Sequence, residues 1–140
     1  MPNDITITIS HGDPTTGKLD FLPVGSDSLS VNQFDRIHWV IDPGSNVASI
    51  DDIGGKKGEP WLFIGGPRGE GNGRTGRVVN APKVYKYYVT WTEKLTTGSH
   101  TYDPKIAVKP VIHLFLLVII LVFILGLTTV GIRRLFSAKK

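Results

Sequence analysis

Apolar and polar residues alternate at the start of the chain. Ile5, Ile7 and Ile9 are interleaved with Thr6, Thr8 and Ser10, the period of a strand with one buried face. The run from His11 to Lys18, with Asp13-Pro14 and Gly17, predicts a turn or short loop. Leu19–Val24 follows as a second short strand interrupted by Pro23. Leu29 and Val31, then Ile37, Trp39 and Ile41, predict two strands joined at a turn over Asn32–Asp35. Asp42-Pro43-Gly44-Ser45-Asn46 closes the second of these, and residues 42–60 read mostly as loop. Trp61–Ile64 is short and apolar, and the glycine-rich stretch 65–77 (GGPRGEGNGRTGR) predicts a mobile or tightly turning loop. Val84–Trp91, dense in aromatic and β-branched residues, is the strongest strand. A polar stretch over 92–104 precedes a last strand at Lys105–Val108. No amphipathic helical period occurs before residue 110, so the expected fold is an all-β antiparallel sandwich over residues 1–109.

The pattern then changes in kind. Val111–Ile132 contains no formal charge, and as a helix rising about 1.5 Å per residue it reaches about 33 Å, enough to cross a hydrocarbon core. Residues 110–132 are therefore expected to form one transmembrane helix, and 133–140 a basic tail. Bulky Val111, Phe115, Ile119, Phe123 and Ile132 suit lipid or other helices. Gly126, Thr128, Thr129 and Gly131 allow closer approach near the basic end, without the G-x-x-x-G spacing that favours self-pairing.

Charge sharpens this reading. The chain has 16 Lys and Arg against 12 Asp and Glu, and Arg133, Arg134, Lys139 and Lys140 account for the whole excess. The region before the span is neutral overall, which argues against nucleic acid as a partner. The same four cations predict a cytoplasmic tail by the positive-inside tendency, placing the β-domain outside the cytoplasm at an inner or plasma membrane. The opposing argument is that MPNDITITIS lacks the basic and apolar regions of a secretory signal, so a cytoplasmic domain is the alternative. The chain has no cysteine, which excludes disulfides, thiolate metal ligands and cysteine nucleophiles.

Two stretches carry a resemblance. Val31-Asn32-Gln33-Phe34-Asp35-Arg36-Ile37-His38-Trp39 is similar to the V-x-x-G-D-x-V-x-W signature of cupredoxins, with Phe34 in place of the usual Gly. Tyr85-Lys86-Tyr87-Tyr88-Val89, followed by Asp103-Pro104-Lys105-Ile106-Ala107-Val108, resembles their closing hairpin. The resemblance implies a cupredoxin-like or immunoglobulin-like sandwich over 1–109. It does not carry the copper chemistry, because a blue-copper site needs a thiolate, imidazoles and usually a thioether. Val89 stands at the Cys position, no His lies between Asn46 and Ile50, and the only Met is Met1. No cofactor is expected. Cupredoxin-like modules accompany bioenergetic membrane assemblies, so the resemblance also implies a respiratory oxidase or a photosynthetic reaction-centre and antenna complex as host.

Other candidate chemistry is sparse. Gly71-Asn72-Gly73-Arg74-Thr75-Gly76 has G-x-G-x-x-G spacing, but a dinucleotide site needs a preceding parallel strand and a following helix. A flexible surface loop is expected there, with Arg68, Arg74 and Arg77 as a candidate docking loop. His11, His38 and His100 follow no ligand spacing, and His113 falls at the start of the span, at headgroup level. Asp13, Asp20, Asp42, Asp51 and Asp52 suit turn roles better than acid–base catalysis. Trp39, Trp61 and Trp91 are expected in the core or at interfaces. The expected function is a non-catalytic accessory subunit whose partners are the lipid bilayer and the subunits of a larger integral-membrane complex. The alternative is a membrane-anchored redox or metal-handling protein using a histidine-based site.

Overall fold

Residues 2–69, 72–79, 81–96 and 98–110 are described by the computed structural model of this chain. The expected transmembrane helix (111–132) and the basic tail (133–140) lie outside the described residues. Within them every regular element is a strand: β1 (Asp4–Gly12), β2 (Leu19–Leu22), β3 (Ser28–Asn32), β4 (Arg36–Ile41), β5 (Val47–Gly55), β6 (Phe63–Arg68), β7 (Gly73–Val78), β8 (Val84–Glu93), β9 (Ser99–Tyr102) and β10 (Lys105–Lys109). Two sheets form, in the order β2-β1-β4-β7-β6 and β3-β10-β8-β5, with β9 added on β8. Their inward faces share one core.

The antiparallel expectation is corrected, because the sheets are mixed: β1 runs parallel to β4, and β3 parallel to β10. Alternation with period two is the same in both kinds of pairing, so the pattern carries no information about direction. Three stretches read as loop or polar connection are also strands. Residues 47–55 form β5, 65–77 lie mostly in the β6–β7 hairpin, and 99–102 form β9.

The turn over Asn32–Asp35 forms where the pattern placed it, and it carries the chain from one sheet to the other. Asp35 is buried there, and its carboxylate accepts from the Asn3 amide at 2.8 Å, the Asn3 side chain at 3.3 Å and the Asn32 amide at 2.8 Å. The Asp35 carbonyl also accepts from the Val78 amide at 2.9 Å, so a single residue joins the N-terminal strand, the turn and β7. Phe34 has φ of 67°, the left-handed conformation that glycine adopts without penalty. This is the position where the cupredoxin signature carries its glycine. The Arg77 guanidinium lies 5.3 Å from the Phe34 ring centre, a cation–π contact that offsets part of the backbone cost.

Trp39 on β4 and Phe63 on β6 meet Tyr87 on β8 across the sandwich. Trp39 lies 5.3 Å from Phe63 and 6.1 Å from Tyr87, both edge-to-face. Trp39 and Tyr87 have no solvent exposure, as expected of core residues. Trp91 is equally buried, and its indole N–H donates to the Gly17 carbonyl at 3.0 Å. A Cβ at Gly12 would come within 2.5 Å of that indole, so the strand approaches Trp91 only because residue 12 has no side chain. Trp61 is 36% exposed and touches the core through Phe63 at 5.5 Å.

Burial pushes the Tyr87 hydroxyl far above its ordinary pKa, while the nearby Trp39 N–H works against that rise. The two groups do not meet in hydrogen-bond geometry, and each is buried without a partner among the described residues. A buried polar group left unpaired costs about 1–3 kcal/mol. Tyr87→Phe is therefore expected to keep or raise stability in urea unfolding. A loss above about 2 kcal/mol would mean that the hydroxyl is satisfied in solution.

Candidate functional site

The candidate docking loop is not a loop, and its arginines do different things. Arg74 lies opposite Trp39 on β4, and its guanidinium donates to the Ile50 carbonyl of the facing sheet and to the Gly73 carbonyl at 3.0 Å. It is a half-buried strut between the sheets. Arg68 ends β6 opposite Thr75 and is exposed. Arg77 is exposed on β7, stacked on Phe34 and directly opposite Arg36 of β4. The G-x-G-x-x-G spacing has no phosphate-binding context, because β7 is antiparallel to both of its neighbours.

The histidines divide between the sheets. His11 is exposed near the end of β1, and His100 on β9 lies against the Trp91 ring, with centroids 4.5 Å apart. His38, on β4, lies between two partners, with Nδ1 3.0 Å from Thr75 Oγ1 and Nε2 3.3 Å from Asp4 Oδ1. Sequence reading missed this carboxylate–imidazole–hydroxyl chain, because its members lie on three strands joined only by non-local pairing. It orients the ring. Acyl transfer would also require oxyanion donors converging beside the hydroxyl, whereas an extended strand directs its N–H groups sideways into the ladder. Among the described residues no three His, Cys, Asp or Glu side chains gather as a metal-binding group. His113 lies outside the described residues.

Most of the carboxylates serve local geometry. Asp13 accepts from the Thr16 hydroxyl at 2.7 Å and the Thr15 amide at 2.9 Å, which hold its pKa below the ordinary value. Asp42 accepts from the Gly44 amide at 2.7 Å in the turn before β5. Asp20 lies on β2 rather than in a turn, 3.9 Å from Lys18. Asp51 and Asp52 are on β5, and their partners are the Ser49 and Thr92 hydroxyls at 2.6 and 2.7 Å and the Tyr88 hydroxyl at 2.8 Å. The bond to Asp52, then burial, raises the Tyr88 pKa. Burial, then the nearby Asp27 charge, raises that of Tyr102. These bonds tie strands together across the outer surface.

A shallow groove of about 470 Å³ follows the β2 edge, lined in part by Lys18, Asp20, Phe21, Leu22 and Val24. Its mixed apolar and charged lining marks no particular ligand. Exposed cations concentrate at the opposite end of the sandwich. There the turn between β3 and β4, the segment entering β8 and the end of β10 bring Arg36, Arg77, Lys83 and Lys109 to one end. No protein-family model matches this chain, and no curated protein matches it either.

Proposed function

We propose that this chain is a copper-free, cupredoxin-like domain held at a membrane by residues 110–132, and that it acts as a non-catalytic accessory subunit of a larger integral-membrane bioenergetic complex. The observation that carries this reading is the uncharged stretch Val111–Ile132, separated from the last strand only by Pro110. So short a connection restricts the domain to the neighbourhood of the bilayer, where its contacts are with lipid and neighbouring subunits. Val89 is fully buried at the position where the resemblance would put the copper thiolate, so hydrocarbon fills that site. A respiratory oxidase or a photosynthetic reaction-centre and antenna complex fits the resemblance as host.

Native mass analysis after solubilisation in a mild detergent tests the docking role. The chain is expected in a particle much larger than itself, and a lone monomer in its detergent micelle would contradict the role. The positive tail favours a domain outside the cytoplasm. Protease added to intact spheroplasts should then degrade the β-domain, and cleavage only after lysis would place it in the cytoplasm.

A further inference from the structure

The pairing pattern orders the connections of the sandwich into two ends. At the end where β10 stops at Lys109 lie the turn from β3 to β4, the loop from β5 to β6, the segment from β7 to β8 and the start of β1. Arg36, Arg77, Lys57, Lys83 and Lys109 are all exposed there. Lys109 pairs with Asn32, the Lys83 carbonyl accepts from the Val108 amide at 2.8 Å, and Arg36 lies directly across from Arg77. Among the described residues the anionic side chains at this end are the buried Asp35, Glu59 in the loop that also holds Lys56 and Lys57, and Asp4, which is engaged with His38 at 3.3 Å and Arg36 at 3.9 Å. Lys56 is paired with Asp103 at 2.5 Å. At the opposite end Asp13, Asp20, Asp42 and Glu93 are matched by Lys18, Arg68, Arg74 and Lys94. Among the described residues the surplus of exposed cations therefore falls at the end where β10 stops.

Like charges placed directly across a strand pair, as Arg36 and Arg77 are, oppose folding. Apolar surface accompanies them: Val84 is 52% exposed beside Lys83, and the partly exposed Trp61 precedes β6 at the same end. Cations interspersed with an exposed indole and aliphatic groups match a headgroup layer, where anionic phosphates meet the edge of the hydrocarbon. The chain leaves the domain at this same end, at Lys109 and Pro110, one residue before the apolar stretch begins.

From this we infer that the end of the sandwich bearing Arg36, Arg77, Lys83 and Lys109 is a docking surface for anionic phospholipid headgroups. The contact rests on the reading of residues 111–132 as a membrane span. It sets the headgroup phosphates against these four cations.

The absence of cysteine makes the test direct, because single labels can be placed by Val84→Cys and by Leu95→Cys, the latter 90% exposed at the far end. The full-length protein, labelled with an environment-sensitive fluorophore, is reconstituted into vesicles of phosphatidylcholine alone or mixed with phosphatidylglycerol, each containing a headgroup-attached quencher. Quenching at residue 84 is expected to be stronger in the anionic vesicles and to lose that excess at high salt, while residue 95 stays unquenched. Lys83→Glu or Arg77→Glu, added to Val84→Cys, should shift the docked-to-free ratio at least about fivefold toward free, and Lys94→Glu should leave it unchanged. Quenching at residue 84 that is the same in neutral and anionic vesicles would overturn the lipid contact while leaving the anchor intact. Failure of the protein to float with either vesicle would overturn the anchor, and the lipid contact with it.

Discussion

Trp39→Ala is expected to lower the unfolding free energy by about 3–5 kcal/mol, the range for removing a large aromatic side chain from a closed core. Trp39 has no solvent exposure and contacts Phe63 within its own sheet and Tyr87 in the facing one. Phe63 and Tyr87 are themselves 6.3 Å apart and perpendicular, so the indole completes a three-ring contact that joins the two sheets. The β4 backbone that would have to collapse into the void is fixed by β1 on one side and β7 on the other. Relaxation is therefore limited and the cavity persists. Urea unfolding followed by circular dichroism measures the loss, and stability within about 1 kcal/mol of wild type would mean that the three rings do not form the centre of the core.

Asp35→Ala is expected to cost about 2–4 kcal/mol, since it removes a buried charged acceptor and leaves its donors unpaired. The Asn3 and Asn32 amides lose their partners, and the link between the N-terminal strand and the turn is lost with them. Hydrogen exchange gives the local signature: the Asn3 and Asn32 amides should lose protection before those of β8. Asp35→Asn keeps one acceptor oxygen and should fall between the two. A loss below about 1 kcal/mol in Asp35→Ala would show that water replaces the carboxylate at this turn.

The half-buried strands with regular spacing were legible from sequence, and those that break the spacing were not. Ile7, Ile9, Ile37, Trp39, Ile106 and Val108 alternate cleanly, and all are buried. Residues 47–55 looked like loop because Val47, Ile50 and Ile53 recur every third residue. Register shifts between Val47 and Ser49 and between Ile50 and Asp52 return each of them to the core side. In β7 the inward positions are Arg74, Gly76 and Val78, and Phe63 covers Gly76 so closely that a Cβ there would approach its ring to 2.7 Å. An absent side chain leaves no hydrophobic signal, so this hairpin read as a loop. The two parallel pairings, and the meeting of Arg36 with Arg77 and of His38 with Asp4 and Thr75, depend on contacts between distant segments, which local periodicity does not encode. The cationic end was hidden for the same reason: its cations are spread from residue 36 to residue 109 and gather only when the strands pair.

Insertion of residues 110–132 into a bilayer underlies both the docking role and the lipid contact, and extraction of native membranes with alkaline carbonate tests it most directly. This treatment strips proteins held only by charge or by protein contacts and leaves those with an apolar span in hydrocarbon. The full chain is expected to stay in the membrane pellet and to float with lipid in a density gradient. Its release into the carbonate supernatant would contradict the membrane-anchored role.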